Sequence, residues 1–310
     1  MAQYLVTGGC GFIGSHLVET LQAQGHFVRV FDDLSTGKRE NIDSRAELVV
    51  GDVGDFDTVA ACMKDMDGCF HLAAIASVQR STEQWLACHR TNLGGTIAVL
   101  DAAHKVRGQA CPVVFASSAA IYGKNSDIPL REEAATAPTS AYGADKLGSE
   151  QHGAVAAGLF GMGVTGMRFF NVFGPRQDPS SPYSGVISIF CDRIAAGRPI
   201  SIFGDGLQSR DFIYVSDVVR FLIAAMQNSR PGAFNVFNVC TGREITLLDL
   251  ALAIMKITGN EVAIQHGAPR MGDIRHSLGD PSRAAVLLKV KAEIGIFSGL
   301  AGTLRELEPA

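Results

Sequence analysis

The stretch Thr7-Gly8-Gly9-Cys10-Gly11-Phe12-Ile13-Gly14 decides the fold of this chain. It joins Gln3–Thr7, whose apolar residues predict a buried strand, to Phe12–Ala23, whose apolar periodicity predicts a helix. Glycine recurs at every third position of the turn, so a dinucleotide pyrophosphate can approach the backbone and the helix N-terminus closely. The stretch therefore predicts a dinucleotide cradle. The alternative is a glycine-rich turn without a ligand.

Strand and helix patterns alternate through the first half of the chain. Further strands are predicted at Phe27–Asp32, Glu47–Val50, Gly68–Leu72, Pro112–Ser117 and Val164–Phe169. Helical patterns fill the gaps, notably Gln84–Val106 and Tyr142–Leu159. Alternation with short connections predicts right-handed crossovers and an α/β fold with a Rossmann-like, doubly wound parallel sheet.

After Asn171 the pattern changes, because prolines, glycines and serines interrupt it. Here we predict a smaller, mixed α/β lobe with elements at Val186–Ala196, Ile200–Phe203, Ser216–Met226, Phe234–Val239, Leu247–Ile257 and Ser282–Leu288. The predicted division is a dinucleotide-binding domain at 1–170 and a substrate lobe at 171–310, with residues from about 206 to 240 returning to the first domain. A ligand is expected in the cleft between them.

Composition argues against several classes of protein. The chain has 310 residues, 47% of them hydrophobic, yet no apolar run reaches the ~18 residues that a membrane span needs. A net charge of −4 without a basic stripe argues against nucleic-acid binding. The seven cysteines show no spacing suited to zinc, so we expect buried thiols and no metal. With no basic leader or cleavage site at the N-terminus, we expect a cytoplasmic protein.

Acidic residues at two strand ends predict the choice of dinucleotide. Asp32 ends the second strand, where a carboxylate accepts hydrogen bonds from a ribose diol and repels a 2′-phosphate. This favours NAD over NADP, the alternative being that Asp32 caps a helix or forms a turn. Asp52 and Val53 follow the third strand and are candidates for contacts with adenine, an ordinary turn being the alternative.

Tyr142 and Lys146 lie four positions apart on a predicted helix, so their side chains share a face. A free tyrosine has a pKa of about 10, and a nearby ammonium, together with a positively charged nicotinamide ring, lowers it toward that of a useful base. Ser118 follows the preceding strand, and its hydroxyl could bridge the phenol and a substrate. The pair predicts coupled transfer of a proton and a hydride. An ordinary surface pair is the alternative.

These segments together resemble the extended short-chain dehydrogenase/reductase family, which includes NAD-dependent sugar-nucleotide epimerases and dehydratases. The resemblance spans nearly the whole chain. It is carried by Thr7–Gly14, His71–Ala74, Asn92, Ser117–Gly123, Tyr142 with Lys146, Arg168–Gly174, Gly204–Gly206 with Arg210–Phe212, and Arg270–Asp273.

The resemblance implies a role for each matching position. Gly8, Gly11, Phe12, Ile13, Gly14, Asp32, Asp52, Val53, Leu72, Ala73, Ala74, Asn92, Tyr142 and Lys146 would bind NAD, and Ser118, Tyr142 and Lys146 would be catalytic. A UDP-sugar would contact Ser118, Asn171, Gln177, Gly185, Ser201, Phe203, Arg210, Arg270, Asp273 and Ser277. In this reading Arg210 and Arg270 grip the diphosphate, and Ser201 and Phe203 line the uracil pocket. Without the family, Arg210 and Asp211 read equally well as a surface ion pair.

The residues after Ser118 discriminate between reactions of this family. Dehydratases carry an Asp-Glu pair, and UDP-glucuronate decarboxylases a Glu, where this chain has Ala119-Ala120. The resemblance therefore implies 4-epimerisation through a 4-keto sugar.

Other positions bear on the sugar. Ser277 stands where enzymes restricted to UDP-glucose and UDP-galactose carry a tyrosine, and Gly185 is also small. UDP-N-acetylglucosamine and UDP-N-acetylgalactosamine are the expected substrates, with UDP-glucose and UDP-galactose as further candidates. A UDP-glucuronate 4-epimerase is the alternative, and so is a non-catalytic NAD-binding protein of the same fold. A homodimer joined through Gln84–Val106 and Tyr142–Leu159 is also expected.

Overall fold

A computed structural model of the protein describes residues 1–105, 111–179, 185–269 and 274–307. Its strands, numbered in chain order, are β1 Gln3–Thr7, β2 Phe27–Asp32, β3 Glu47–Val50, β4 Gly68–His71, β5 Val113–Ser118, β6 Val164–Phe169, β7 Asn171–Phe173, β8 Ile200–Phe203, β9 Ser209–Tyr214, β10 Phe234–Val239, β11 Glu244–Thr246, β12 Ile264–Gly267 and β13 His276–Ser277. Its α-helices are α1 Phe12–Ala23, α2 Phe56–Met63, α3 Val78–Glu83, α4 Trp85–His89, α5 Gly95–Lys105, α6 Ala141–Phe160, α7 Val186–Ala195, α8 Val215–Gln227, α9 Leu247–Thr258, α10 Ser282–Leu287 and α11 Ile296–Leu307.

Seven strands form one parallel sheet in the order β10-β6-β5-β4-β1-β2-β3. The predicted Rossmann-like fold is therefore confirmed. The chain crosses from β3 at one edge back to β4 beside β1, so the order reverses between β1 and β4. In open parallel sheets the loops at the carboxyl ends of such strands spread apart and leave a crevice. The loops after β1 and β4 carry Gly8–Gly14 and Leu72–Ala76.

Apolar side chains cover both faces of this sheet. On one face Val6, Val30 and Met167 pack with Leu17 of α1 and Phe221 of α8, all of them buried. On the other face a second cluster joins Leu5, Phe31, Phe115 and Val164 of the sheet to Val99 of α5. Because both faces are covered, the strands read as nearly continuous apolar runs, which is why the sequence pattern identifies them well.

The residues after 170 form two small sheets and an apolar helix cluster, and they also supply one strand of the seven-stranded sheet. β9 pairs with β7, β11 and β13 in a small sheet, and β8 pairs with β12. A third apolar cluster lies among α7, α9 and α11, with Phe190, Leu250 and Leu300 at its centre. β10 belongs to the seven-stranded sheet. The division of the chain at residue 170 stays a prediction.

The helix predicted over Gln84–Val106 is interrupted in the structure. α4 ends at His89, a π-helical turn follows over Arg90–Gly94, and α5 begins at Gly95. Val106 lies outside the described residues. Such wide turns insert one extra residue into the helix and often occur near functional sites. Here the turn carries Asn92, whose side chain bonds to the backbone of the loop after β4.

All seven cysteines lie in the described part of the chain, and each is buried and outside any disulfide. Among the described residues no cluster of histidine, cysteine and carboxylate side chains could hold a metal ion. Within the same residues, no helix combines the length and the apolar character needed to cross a membrane.

Candidate active site

A cavity of about 280 Å³ opens at the carboxyl ends of the central strands. Thirteen of the fourteen residues predicted to bind the dinucleotide line it, namely Gly8, Gly11, Phe12, Ile13, Gly14, Asp32, Asp52, Val53, Leu72, Ala73, Ala74, Tyr142 and Lys146. These positions come from five separate segments of the sequence. The fold therefore brings the predicted cradle and the Tyr/Lys pair to one cavity.

The glycine-rich turn leaves no room for side chains. Gly8 has a φ of +69°, and a Cβ on Gly14 would lie 2.1 Å from the carbonyl oxygen of Gly8. Gly11 is the N-cap of α1 and supplies no side-chain cap, and the first turn of α1 carries no acidic residue. The first amides of the helix therefore stay available to an anion. This arrangement fits a dinucleotide pyrophosphate.

Asp32 holds backbone amides of the neighbouring loops by hydrogen bonds and also lines the cavity. Its two carboxylate oxygens accept hydrogen bonds from the amides of Cys10 and Leu34, each at 2.9 Å. Burial raises the pKa of Asp32, and the two amides act in the opposite direction. Each carboxylate oxygen keeps a further lone pair that could accept a ribose hydroxyl. The two interpretations of Asp32, turn former and ribose acceptor, are therefore compatible.

Asn92 is the predicted cofactor residue that does not line the cavity. It is fully buried, its Oδ1 accepts the amide of Ile75 at 2.8 Å, and its Nδ2 donates to the carbonyl of Ile75 at 3.3 Å. Ile75 does line the cavity. Asn92 therefore supports the cavity wall through Ile75 and does not itself line the cavity. The spacing of the sequence alone does not distinguish this placement from direct contact with the dinucleotide.

Other cavity residues were not predicted. They include Asp33, Ser35, Thr36 and Gly37 after β2, and also Thr91, Ala116 and Phe169. The loop after β2 could have been predicted, because loops at the carboxyl ends of parallel strands line the crevice of such sheets. Thr91 could not, since it reaches the cavity from the π-helical turn.

The catalytic candidates are held by buried contacts. Lys146 is 3% exposed, its Nζ donates to the carbonyl of Ala116 at 2.7 Å, and it lies 5.8 Å from the centre of the Tyr142 ring. The side chain of Ser118 acts on Tyr142 in the direction that lowers the pKa of the phenol. α6 begins after the N-cap Ser140, and Ser81 of α3 accepts the amide of Tyr142 at 3.2 Å. The phenol, hydroxyl and ammonium predicted to act together therefore lie together.

Burial shifts the pKa values of both members of this pair. Burial lowers the pKa of Lys146 to about 8. Burial also raises the pKa of Tyr142, and only the side chain of Ser118 opposes this. In the protein alone, burial outweighs the effect of Ser118 on this phenol. The lowering of the Tyr142 pKa by the ammonium together with the nicotinamide ring concerns the protein with its dinucleotide bound and stays a prediction.

Ala119 and Ala120 follow Ser118 in a short 3₁₀ turn over Ala119–Tyr122. The Oγ of Ser118 accepts the amide of Ala120 at 3.1 Å and so caps this turn. Neither alanine carries a group that can exchange a proton. The acid–base groups of this segment are thus limited to Ser118 and the buried Tyr122, whose hydroxyl donates to Asn238 at 2.7 Å.

Apart from Ser118 at the end of β5, the described residues predicted to bind a UDP-sugar come after residue 170, and none of them lines this cavity. Ser201 and Phe203 occupy the exposed face of β8, whose other two residues are buried. Arg210 and Ser277 are register neighbours on β9 and β13. Asn171 is exposed at the start of β7.

Two further substrate candidates meet at the start of α7. Gly185 is its N-cap, and a Cβ there would lie 3.0 Å from the Nε2 of Gln177. Arg270 and Asp273 lie outside the described residues. The structure thus pairs Arg210 with Ser277 and Gln177 with Gly185.

Asp211 does not form the surface ion pair considered above. It is fully buried, and its carboxylate accepts the amides of Thr241 and Gly242 and the hydroxyl of Thr241. Its function is to hold the turn after β10. The charge of Arg210 is therefore not committed to the carboxylate that follows it.

Comparison with known proteins agrees with this geometry. Residues 4–240 match the NAD dependent epimerase/dehydratase family. The chain is 35% identical over 306 residues to a UDP-glucose 4-epimerase of Mycolicibacterium smegmatis, which covers 97% of this chain and 96% of that protein.

Solved structures are similar as well. One is a UDP-glucose 4-epimerase of Thermotoga maritima with UDP-glucose, with a TM-score of 0.94, 35% identity and 98% of each chain covered. Another is a UDP-N-acetylglucosamine 4-epimerase of Methanobrevibacter ruminantium M1 in complex with UDP-N-acetylmuramic acid, with a TM-score of 0.93, 34% identity and 99% and 98% covered. Since the family's pattern covers most of the chain and these relatives cover nearly all of it, the chain belongs to the NAD-dependent epimerase/dehydratase family, and its cofactor is NAD.

Proposed function

We propose that the protein is a 4-epimerase of UDP-sugars with a preference for UDP-N-acetylglucosamine and UDP-N-acetylgalactosamine. The observation that carries this proposal is that Tyr142 and the buried Lys146 line one cavity with the predicted dinucleotide cradle, while two alanines follow Ser118. The relatives named above act on UDP-sugars, which supports the substrate class.

In the proposed mechanism each side chain has one task. Bound NAD supplies the acceptor and donor of the hydride. Tyr142 accepts the proton of the sugar 4-hydroxyl and later returns it, and Ser118 hydrogen-bonds to both groups. The ammonium of Lys146 favours the ionised phenol by its charge. The 4-keto sugar turns about its diphosphate link and is reduced on its other face, so the configuration at C4 is inverted.

The absence of acidic side chains at positions 119 and 120 supports epimerisation over elimination. Loss of water from the neighbouring carbons needs groups that remove and deliver protons there, and two methyl groups cannot do this. The same absence argues against decarboxylation of a uronate by this route. Inversion at C4 needs only the proton acceptor that Tyr142 provides.

The acetamido preference is supported by the small residue Ser277. It lies beside Arg210, which we propose contacts the diphosphate, so the reacting sugar would reach the neighbourhood of Ser277. A tyrosine there would fill the volume that an N-acetyl group needs. Gly185 is small where the side chain of Gln177 approaches it closely, since a Cβ there would lie 3.0 Å from its Nε2. We also assign Asn171, Ser201, Phe203, Arg270 and Asp273 to the substrate site, on the family resemblance alone.

We further propose a homodimer. Large apolar side chains are exposed along α4, α5 and α6, namely Trp85, Leu86, Ile97, Val155, Leu159 and Phe160. A second copy that packs the same helices against them would bury this surface. Light scattering of the parent and of Leu159→Glu tests this. A monomeric parent would overturn the dimer, and a dimeric parent that the variant dissociates supports it.

The decisive experiment is a substrate panel. Purified protein is incubated with UDP-hexoses, UDP-N-acetylhexosamines and UDP-hexuronates, and the products are separated by anion-exchange chromatography, with Tyr142→Phe as the control. We expect C4 inversion of the acetamido sugars above all. Turnover of UDP-glucuronate alone would replace the proposed substrate with a uronate, and no turnover of any sugar by a protein that binds NAD would favour a non-catalytic protein.

A further inference from the structure

A turn that leads to a substrate candidate is held by the helix of the dinucleotide cradle. The turn contains Pro175 and Arg176, follows β7 and leads to Gln177. The Nε2 of His16 on α1 lies 3.1 Å from the carbonyl oxygen of Pro175. Three positions further along α1, the carboxylate of Glu19 accepts a hydrogen bond from Arg176 at 2.6 Å. One face of α1 therefore holds two consecutive residues of the turn.

The backbone of this turn depends on such contacts. Arg176 has a φ of +65°, in the left-handed region that residues other than glycine rarely adopt. A conformation of this kind persists where the surrounding structure imposes it. The ion pair with Glu19 contributes little, because the Glu19 side chain is 62% exposed. The hydrogen bond from His16 is partly buried and is the better-protected of the two contacts.

His16 lies between the dinucleotide cavity and the turn. Its ring packs edge-on against Phe12, which lines the cavity, with the ring centres 6.1 Å apart. A carbonyl oxygen can only accept, so the Nε2 of His16 carries the proton that is donated to Pro175. Burial lowers the pKa of His16, so the ring is neutral at pH 7 and keeps this one tautomer.

Gln177 depends on the turn for its position. A Cβ on Gly185, the N-cap of α7, would lie 3.0 Å from the Nε2 of Gln177. The Oε1 of Gln177 is buried and makes no hydrogen bond within the described residues. No bond at this oxygen fixes the side-chain amide, so the backbone that precedes Gln177 determines where the amide lies.

We propose that His16 is a positioning residue that places Gln177 for the UDP-sugar, through its hydrogen bond to the turn at Pro175 and Arg176. It thereby connects the helix of the dinucleotide cradle to the substrate site. The proposal rests on the proposed function, which assigns Gln177 to that site. His16 does not line the dinucleotide cavity, so its substitution should change the affinity for the sugar nucleotide and leave the affinity for NAD unchanged.

The first measurement follows the turn itself. Amide hydrogen exchange of residues 171–179 is measured by mass spectrometry in the parent, in His16→Phe, which keeps a ring beside Phe12, and in His16→Gln, whose amide can replace the Nε2 donor. We expect faster exchange in His16→Phe and exchange close to that of the parent in His16→Gln. His26→Phe is the matched control, because it removes a histidine that accepts the amide of Ala2 before β2. Exchange of the turn should not change in this control.

The second measurement connects the turn to the ligand. Dissociation constants of UDP-N-acetylglucosamine are measured by calorimetry with saturating NAD, and every protein carries Tyr142→Phe to prevent turnover. We expect His16→Phe to weaken binding by about three- to tenfold, the range for one lost hydrogen bond, and His16→Gln to restore it. In a Gln177→Ala background, His16→Phe should have no further effect, because His16 acts through Gln177.

Faster exchange and weaker binding in His16→Phe, both restored by His16→Gln and both absent from His26→Phe, support the proposal. Unchanged exchange in His16→Phe overturns it, whether or not the protein binds a UDP-sugar. Additive losses with Gln177→Ala also overturn it, since His16 would then act by another route. A parent that binds none of the UDP-sugars of the panel refutes the proposed function itself, and the position of Gln177 for a UDP-sugar is refuted with it.

Discussion

Arg168 and Glu150 face each other through two hydrogen bonds, Nε to Oε1 at 2.9 Å and Nη2 to Oε2 at 2.7 Å, with both side chains only 6% exposed. Arg168 also donates to Tyr122 and to the carbonyl of Glu132, and Ser117 donates to Glu150. Through Ser117 and Arg168, this network connects β5 and β6 to Glu150 on α6. Glu150 lies one helical turn beyond Lys146, and Ser117 directly precedes Ser118. The scaffold of the catalytic candidates depends on a charge pair in the interior.

We expect Glu150→Gln to destabilise the protein by about 3–5 kcal/mol, because it leaves the buried guanidinium uncompensated. Denaturant unfolding measures this. Asp43→Asn is the control, since it removes one half of an ion pair in which Arg45 is 64% and Asp43 47% exposed, and its effect on stability should be far smaller. Equal losses in the two variants would contradict the assignment of a structural function to the buried pair.

Asp32→Ala should weaken NAD binding far more than NADP binding. The carboxylate would accept the ribose diol of NAD, whereas it repels a 2′-phosphate. The variant should also lose some stability, because the amides of Cys10 and Leu34 lose their acceptor. Dissociation constants of both dinucleotides, measured by calorimetry, separate the two effects. A parent protein that prefers NADP would show that the interpretation of Asp32 is wrong.

Tyr142→Phe should lower kcat by about 10²–10⁴, because it removes the proton acceptor and keeps the ring. Substrate binding should be largely retained. Ser118→Ala should cost less, since Ser118 orients the phenol and caps the turn at Ala120. Steady-state kinetics with the best substrate of the panel give these values. Activity of Tyr142→Phe within a few-fold of the parent would eliminate the proposed mechanism.

Lys146→Met should raise stability while it abolishes activity. Lysine in an unfolded chain has a pKa of about 10.4, whereas burial lowers that of Lys146 to about 8. The unfolded chain therefore binds this proton more tightly, so the buried ammonium destabilises the fold below pH 8, and this cost fades as the pH rises toward 10.4. After loss of the hydrogen bond to Ala116, we expect a net gain of about 1–2 kcal/mol at pH 7.

Unfolding of the NAD-free parent and of Lys146→Met at pH 7 and pH 10 checks this sign. The advantage of the variant should shrink at the higher pH. An advantage that stays constant with pH would mean that the ammonium is not the source of the cost.

Ser277→Tyr should abolish turnover of UDP-N-acetylglucosamine and spare UDP-glucose, because an aromatic ring fills the space for the acetamido group. Overpacking of this kind costs about 1–3 kcal/mol or more. Ratios of kcat/KM for the two sugars measure it, with Ser201→Ala as a variant outside β13. If Ser277→Tyr slows both sugars equally, Ser277 does not determine which sugar the enzyme accepts.

The parts of the fold that local sequence controls were predicted well. Gly8 and Gly14 stand where a side chain would be strained or would clash with the backbone, and the parallel strands are continuous apolar runs with clear ends. The resemblance to the extended short-chain family and the choice of NAD are confirmed. Short strands such as β11 and β13 have no such pattern, because their pairing partners on β9 lie far away in the sequence.

The candidate site was predicted as a set of residues but not as a geometry. Nothing in the spacing of Asn92 distinguishes support of the wall from contact with the ligand. Arg168 and Glu150 are charged residues in the interior, and sequence patterning assigns charges to the surface. The pKa of Tyr142 depends on burial, which only the assembled fold determines.

Because the cysteines are completely buried, their rate of reaction with a thiol reagent measures how often the structure around them opens. A thiol reagent should not label the native protein, and each cysteine should react only when the structure around it opens. Burial raises the pKa of Cys10, within the glycine-rich turn, to about 12, so this thiol is unreactive while the turn is closed. The rate of alkylation of Cys10 therefore reports how often the turn opens. Saturating NAD should slow the alkylation of Cys10 and leave the alkylation rate of Cys191 in α7 unchanged.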